Sequence, residues 1–266
     1  MLNITAIIAV RNETKYLPVT LAALACCDIN FIIIDHGSTD DIDHILKQFH
    51  HNLIKNICIP YKGYFSLSDQ IIEKNKIIES VNTDWLIHQD ADEILESPEP
   101  GETLRDGIQR INEQGFTAMN FNEFVFIPTL SNSNHESGNF YHTMLHYYFY
   151  EPVQFRLNRA WKKNRNVYLS DGGHNLASKD LLLFPRDAFV LRHYICLSKE
   201  HIINKYKNRN FSKEDLDKGW HKKRLNFTDA FSFPDEFVLQ KLPFAESKDF
   251  ITVNPWKNHF WESFKT

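Results

Sequence analysis

Two aspartates, Asp90 and Asp92, are separated by a single residue and follow shortly after an apolar run, Trp85 to Ile87. The apolar run is typical of a buried strand. Side chains along an extended chain repeat every two residues, so both carboxylates point to the same side. A hard divalent cation such as Mg²⁺ or Mn²⁺ prefers oxygen ligands, and the pair therefore indicates a metal site. The same pair could instead end a solvated strand or begin a helix, where carboxylates stabilise the helix dipole.

Polar residues also follow two earlier apolar runs, 4–10 and 31–34, which predict strands buried on both faces of a parallel sheet. These polar clusters are Arg11-Asn12-Glu13 and Asp35-His36-Gly37-Ser38. Ligands of open α/β sheets bind beyond the carboxyl ends of the strands, so the three clusters predict one binding site. The first cluster could instead be a salt bridge, and the second a turn that caps a helix.

The segments between these runs predict helices, because apolar residues recur in them at the helical period. The predicted helices lie at 17–24, 42–49 and 65–81, and a further strand is predicted at 57–59. Strands and helices in alternation predict a doubly wound α/β fold, with a Rossmann-like, mostly parallel central sheet flanked by helices.

The second half of the chain predicts a mixed α+β region. Strands are predicted at 116–127, 153–161, 166–169 and 188–195, and a helix at 199–209. The basic residues of this helix, Lys199, Lys205, Lys207 and Arg209, are interpreted as a solvated face. No repeat or low-complexity linker divides the chain, which favours one domain over two.

Composition excludes several classes of protein. The 266 residues are 42% hydrophobic and 24% charged, as in ordinary globular proteins. The formal net charge of −4 argues against a nucleic-acid-binding protein, whose surface is normally basic. Four cysteines without metal-ligand spacing predict reduced, buried thiols in a cytoplasmic protein. No apolar run approaches the ~20 residues that a membrane helix needs, although peripheral membrane contact stays open.

The polar clusters, taken in order, carry a family resemblance. The chain resembles the family-2-type glycosyltransferases with a GT-A fold, in which one α/β domain binds a nucleotide sugar. The matching segments are 9–13, 34–40, 74–75 and 90–93, with 192–194 later in the chain. The resemblance implies a single GT-A-like domain over 1–266. Residues 1–127 would form its nucleotide-sugar-binding half, and 128–266 its acceptor-side half and C-terminal tail.

The resemblance also implies the residues that bind the donor. They are Val10, Arg11, Glu13, Asp35, Gly37, Ser38, Lys74 and Asp90. Val10, Arg11 and Glu13 would line the base and ribose pocket, and Asp35 would accept a hydrogen bond from the nucleobase. Lys74 stands where the family often has arginine and would face the diphosphate. His36 replaces the second acidic residue that is common in the family, so the base is left undefined.

By the same resemblance, Asp92 would bind Mn²⁺ or Mg²⁺ directly, Asp90 would contact ribose or metal, and His193 would complete the metal shell. His193 could instead be a hydrogen-bonded core histidine. A cation that bridges both phosphates stabilises the leaving nucleoside diphosphate as a Lewis acid. The donor would be a UDP-, GDP- or dTDP-sugar. The acceptor would be a hydroxyl group of a carbohydrate or lipid-linked glycan, and the transfer would invert the anomeric centre.

An inverting transfer needs a base within hydrogen-bond reach of the acceptor hydroxyl. Asp171 is the first candidate, because Gly172 and Gly173 after it suggest a close approach of the backbone. Glu123, on a predicted strand, is the second. Asp171 could equally begin a Gly-Gly turn.

Two other function classes stay open. A metal-dependent nucleotidyltransferase or phosphohydrolase could use the same carboxylates, and it would release pyrophosphate or phosphate. A glycosyltransferase releases nucleoside diphosphate instead. A catalytically inactive nucleotide-binding scaffold would show no metal-dependent nucleotide binding, and the intact pair of Asp90 and Asp92 argues against it.

Overall fold

The computed structural model describes residues 2–152, 157–164, 166–207, 209–225, 227, 229–260 and 262, apart from the side chain of Asp171. The strand predicted at 153–161 therefore falls partly outside the described residues. The helices are α1 (Leu17–Cys26), α2 (Ile42–Gln48), α3 (Leu67–Ser80), α4 (Leu104–Glu113), α5 (Phe140–Thr143), α6 (Lys199–Tyr206) and α7 (Lys213–Asp217). The strands are β1 (Ile4–Val10), β2 (Asn30–Asp35), β3 (Leu53–Cys58), β4 (Trp85–Asp90), β5 (Glu93–Glu96), β6 (Ala118–Phe126), β7 (His146–Phe149), β8 (Asn158–Lys162), β9 (Val167–Ser170), β10 (Asn175–Ser178), β11 (Phe189–Tyr194) and β12 (Gln240–Lys241).

Four parallel strands form the first half of the sheet. β1 lies between β2 and β4, and β3 pairs with the outer edge of β2. Helices α1, α2 and α3 connect these strands, so the predicted α/β fold with a mostly parallel central sheet is confirmed. The register pairs Val10 with Asp35 and Ala9 with Asp90. The three polar clusters therefore meet at one edge of the sheet.

Successive residues of β1 point into two buried layers. Ile8 packs in the layer that contains Leu17 of α1, and Ile7 packs in the layer that contains Ile78 of α3. Burial on both faces explains why this strand is apolar at nearly every position. β3 is an edge strand and several of its residues are exposed, including Ile54. Its apolar signal is weaker, and the strand begins earlier than predicted.

The second half of the chain extends the sheet with antiparallel strands. β8 pairs with β4 and with the start of β6, and β7 pairs with the end of β6. β11 lies between β5 and β6, antiparallel to β5 and parallel to β6. This pairing brings β11 beside the turn that follows β4. β9 and β10 form a separate hairpin, and the 3₁₀ turn Asp171–Gly173 connects its two strands.

The segment that contains α6 and α7 is fastened to the first turn of α3. Asp215 of α7 accepts hydrogen bonds from the backbone N–H groups of Leu67 (2.7 Å) and Ser68 (3.0 Å). Phe65 also exchanges backbone hydrogen bonds with the residues on either side of Phe211. These contacts fix the C-terminal end of α6 beside the polar edge of the sheet.

The four cysteines do not share one environment. Cys196 is buried, but Cys26 and Cys58 are exposed, so the prediction of four buried thiols is wrong. Cys26 is the last residue of α1, and Cys58 ends the edge strand β3, where packing is incomplete on one side. Among the helices that the structure describes, none is both long and apolar enough to cross a membrane.

Candidate functional site

The turn between β4 and β5 carries the predicted acidic pair. Asp90 is the last residue of β4, and Asp92 lies in the turn itself. The hydroxyl of Thr20 on α1 donates a hydrogen bond to the carbonyl of Ala91 at 2.5 Å. The N–H of Tyr194 on β11 donates to the carbonyl of Asp92 at 2.7 Å. The two carboxylates therefore project from a turn that both halves of the fold hold in place.

Asp90 lies among basic side chains. Its Oδ1 is 3.7 Å from Lys74 Nζ, and its Oδ2 is 3.7 Å from Arg159 Nη2. Burial would raise the pKa of Asp90, but Lys74 and Arg159 outweigh this effect and hold the pKa below its usual value. Oδ1 is also 3.9 Å from His88 Nε2. Burial lowers the pKa of His88 well below its usual value, so that ring is neutral and adds no charge.

Glu93 and Arg159 form a buried ion pair beside Asp90. Arg159 Nη2 donates a hydrogen bond to Glu93 Oε1, and both side chains are 2% exposed. Burial raises the pKa of Glu93 to about 7, although Arg159 opposes the shift. Glu93 Oε2 also accepts the backbone N–H of Asp90 at 3.1 Å. The pair therefore holds the backbone of Asp90 as well as contributing to its electrostatic surroundings.

Asp92 has two cationic neighbours. Lys205 Nζ donates a hydrogen bond to Asp92 Oδ2 at 2.8 Å and lies 3.4 Å from Glu13 Oε1. His193 Nε2 lies 3.8 Å from the same Oδ2, and its Nδ1 is hydrogen-bonded to Glu123 Oε1 at 2.6 Å. Burial would raise the pKa of Asp92, but Lys205 and His193 hold it well below its usual value. Burial would lower the pKa of Lys205, but Asp92 and Glu13 outweigh this effect and raise it.

The ends of β1 and β2 form the other side of the site. Arg11 Nη1 donates hydrogen bonds to the carbonyls of His36, at 3.0 Å, and of Gly37. Its guanidinium lies 3.3 Å from the ring centre of Tyr61. Gly37 has φ +63°, and a Cβ on it would lie 2.9 Å from Tyr61 Cβ, so this turn requires glycine. The turn thus lets Arg11 stack on an aromatic ring at the edge of the sheet.

Two adjoining cavities open at this edge. The first cavity, of about 450 Å³, includes Asn12, Thr39 and Tyr61 in its lining. The second cavity, of about 220 Å³, includes Asp90 and Asp92. The residues that line both cavities are Arg11, Glu13, Phe65, Lys205 and Arg209. A ligand that is neutral at its ends and anionic in its middle would place its charge at this junction.

The structure brings only part of the predicted set to these cavities. The predicted residues in their linings are Arg11, Glu13, Asp90, Asp92, Glu123 and His193. Those outside the linings are Val10, Asp35, Gly37, Ser38 and Lys74. Val10 is buried in the core, and Asp35 Oδ1 accepts the N–H of Ser38 at 2.8 Å, which closes the turn after β2. Lys74 is buried and its ammonium lies near Asp90.

The side chain of Asp171, the first candidate base, lies outside the described part of the chain. Its neighbours Gly172 and His174 line the second cavity. Gly173 has φ +86°, and a Cβ on it would lie 2.8 Å from His88 Cε1. The predicted close approach of the backbone is therefore present at Gly173.

Two cations beside the acidic pair were missed by the sequence-based reasoning. Arg159 received no role, and Lys205 was interpreted as part of a solvated helix face. That interpretation is wrong for Lys205, whose side chain is 9% exposed and bound to Asp92. The buried positions Ile202 and Tyr206 of α6 could have revealed it, because Lys205 follows Ile202 by three positions and so borders the buried face. No local signal in the sequence marks Arg159.

The predicted metal ligands Asp92 and His193 meet, but each already has a charged partner. Asp92 Oδ2 already accepts a hydrogen bond from Lys205. Burial lowers the pKa of His193, but Asp92 and Glu123 outweigh this effect and raise it well above its usual value. Among the described residues, no three His, Cys, Asp or Glu side chains are grouped to hold an ion. This arrangement does not fit Mn²⁺ or Mg²⁺, and the metal stays a prediction.

Comparison with known proteins supplies a family. A sequence model described as glycosyl transferase family 2 matches residues 5–170, which is more than half of the chain. A comparison with curated proteins gives no match.

Three solved structures show more distant similarity. The crystal structure of S. aureus TarS 1–349 in complex with UDP is 12% identical, with a TM-score of 0.44 over 85% of this chain and 72% of that one. A second crystal structure of S. aureus TarS 1–349 is 13% identical, with a TM-score of 0.42 over 72% of this chain and 60% of that one. Glucosyl-3-phosphoglycerate synthase from Mycobacterium tuberculosis, in complex with phosphoglyceric acid, is 12% identical, with a TM-score of 0.30 over 46% and 44%. The match thus covers less than two thirds of the other chain in two of these three structures.

Proposed function

The chain belongs to glycosyl transferase family 2, and we propose that its GT-A-like fold transfers a sugar from a nucleoside diphosphate sugar to a hydroxyl group. The observation that carries the proposal is the pair of adjoining cavities, which share Lys205 and Arg209 at their junction. A nucleotide sugar has the matching shape, with a nucleoside at one end, a sugar at the other and an anionic diphosphate between them.

The two cavities suit the two ends of such a donor. In the first cavity, the stacked Arg11 and Tyr61 can contact the base of the nucleoside. The hydroxyl group of Thr39 and the amide group of Asn12 line the same cavity and can contact its ribose. The second cavity offers carboxylates to the hydroxyl groups of a sugar. Asp90 is a hydrogen-bond acceptor there, and the nearby cations keep it ionised.

The reaction exchanges one bond to the anomeric carbon for another. The acceptor oxygen attacks this carbon, its proton passes to a base, and the bond to the β-phosphate oxygen breaks with its electrons staying on the phosphate. We propose Asp171 as the base, with Glu123 as the second candidate, and inversion as the outcome. Glu123 lines the second cavity, where its Oε1 is hydrogen-bonded to His193.

Mn²⁺ or Mg²⁺, the predicted cofactor, would be held by Asp92 with Asp90 and His193. A bound ion would act as a Lewis acid toward the leaving phosphate. Because the partners of Asp92 do not fit such an ion, no step of the proposed reaction depends on it.

The test is a panel of nucleoside diphosphates, with melting temperature as the first readout and product identity as the second. We expect one of UDP, GDP or dTDP to raise the melting temperature. We also expect the matching nucleotide sugar to yield nucleoside diphosphate when an acceptor or water takes the sugar. Release of pyrophosphate or inorganic phosphate instead would favour a nucleotidyltransferase or phosphohydrolase, and stabilisation by no nucleotide would contradict the proposal.

The choice of base needs separate variants. Asp171→Asn should abolish turnover while nucleoside diphosphate binding persists, since the amide cannot take the proton. If Asp171→Asn keeps its turnover and Glu123→Gln loses it, the base is Glu123.

A further inference from the structure

Lys205 binds the carboxylate that was predicted to bind the cation. Its Nζ is 2.8 Å from Asp92 Oδ2 and 3.4 Å from Glu13 Oε1, so it joins the turn after β4 to the end of β1. We propose that Lys205, together with Arg209, supplies the positive charge that stabilises the leaving diphosphate, so that the enzyme binds its donor without a divalent cation. This inference rests on the proposed function, because it assigns the diphosphate of that same donor to the junction of the two cavities.

The fold holds Lys205 in this position. Ile202 and Tyr206, on the neighbouring face of α6, are buried, and the hydroxyl of Ser198 caps the start of the helix by accepting the N–H of His201. An ammonium group has three N–H donors, and Lys205 donates one of them to Asp92. Lys205 also lines both cavities, so it can donate to a phosphate oxygen at their junction.

Two arginines bring further positive charge into the cavities. Arg209 lies 4.8 Å from the ring centre of Phe65, and Arg224 lies 5.1 Å from that of Tyr206. Within the described residues, neither guanidinium forms an ion pair with a carboxylate, and both line the second cavity. Arginine donors in a fixed fork match the oxygens of a phosphate.

The balance of charge favours fixed cations over a metal. The diphosphate of a nucleotide sugar is a dianion, which Arg209 and Arg224 can neutralise. A divalent ion would need carboxylates that are free of other partners. Asp92 is bound to Lys205, and Asp90 has Lys74 and Arg159 within 3.7 Å. Adding a metal would therefore leave surplus positive charge, unless Lys205 moved away.

In the reaction, Lys205 and Arg209 act on the leaving group. As the bond between the anomeric carbon and the β-phosphate oxygen breaks, negative charge grows on that phosphate. Donors that already point at the developing charge stabilise it without reorganisation. The acceptor proton goes to the carboxylate base, so Lys205 keeps its own proton throughout.

The experiment measures binding of UDP, GDP and dTDP by calorimetry, first in EDTA and then with Mn²⁺. We expect the preferred nucleotide to bind wild-type protein about equally in both, within about twofold. Lys205→Met should weaken binding in EDTA by roughly 10- to 100-fold, the range for a lost hydrogen bond between charged groups. Lys207→Met is the matched control, because Lys207 is 52% exposed on the same helix end and pairs with Asp229. It should bind like wild type.

Two further variants keep the result interpretable. Lys205→Arg retains the charge and should keep most of the binding in EDTA, and circular dichroism of Lys205→Met separates a loss of binding from a loss of folding. Asp92→Asn retains Lys205 and should bind better in EDTA than Lys205→Met does. Binding that requires Mn²⁺ and disappears in Asp92→Asn would overturn the inference but leave the proposed function intact. Binding of no nucleotide under any condition would overturn both.

Discussion

Replacing Arg159 with methionine should be one of the most destabilising single changes in the fold. Arg159 and Glu93 are each 2% exposed, and Arg159 Nη2 is also 3.7 Å from Asp90 Oδ2. Methionine fills similar space but leaves the carboxylate of Glu93 buried without a counter-charge. Breaking one partner of a buried ion pair costs about 3–5 kcal/mol. We therefore expect Arg159→Met to lose that much free energy of unfolding at pH 8, measured by urea denaturation.

The pH dependence tests the cause of this loss. Burial raises the pKa of Glu93 to about 7 even with Arg159 present, so removal of Arg159 raises it further. A carboxyl whose pKa is higher in the folded state than in the unfolded state favours folding when protonated. This contribution to the free energy of unfolding is lost as the pH rises through the pKa of the folded state, by at most about 1.4 kcal/mol per pH unit. The cost of Arg159→Met should therefore be smaller at pH 6 than at pH 8.

The double variant Glu93→Gln/Arg159→Met is the control, since it removes both charges and should recover most of the stability at pH 8. A cost below about 1 kcal/mol for Arg159→Met, or a double variant no more stable than the single one, would refute the account of a buried, uncompensated charge.

Two further variants probe the supports of the site. Burial lowers the pKa of His201 to about 3, and its Nδ1 accepts the N–H of Leu197 at 3.2 Å. The folded state therefore resists protonation, and acid favours unfolding from about pH 6.5 downward. Between pH 7 and pH 5, the free energy of unfolding measured in urea should fall less for His201→Gln than for wild type. His44→Gln, at an exposed position of α2, is the control and should behave like wild type. Asp215→Ala removes the acceptor of the first N–H groups of α3 and should cost about 1–3 kcal/mol in the same assay.

The first half of the fold could be predicted because its signals are local. Each buried strand is an apolar run, and each ends in polar residues that need not be buried. Parallel pairing then brings those ends together, as the register of Val10 with Asp35 shows. Short-range patterns therefore sufficed to place Asp90 and Asp92 at the edge of the sheet where the cavities open.

The charge partners of the site could not be predicted, because they come from distant parts of the chain. Arg159 lies 66 residues after Glu93, and Lys205 lies 113 residues after Asp92. In sequence these cations look like any surface arginine or lysine. Only the pairing of β8 with β4, and the packing of α6 against the edge of the sheet, show which carboxylates they meet. An acidic pair read alone therefore indicates a metal even where fixed cations surround it.

The anchoring of α6 and α7 decides whether fixed cations can act on a donor. Asp215 is buried and bonded to the first turn of α3, and it lines neither cavity. If Lys205 and Arg209 stabilise the diphosphate because they are held in advance, loosening this anchor should weaken nucleotide binding without changing any group in the cavities. Asp215→Ala should then bind the preferred nucleoside diphosphate several-fold more weakly in calorimetry. Asp217→Ala, which alters an exposed residue of the same helix, should not. Equal affinities in the two variants would mean that the cations need no such anchor.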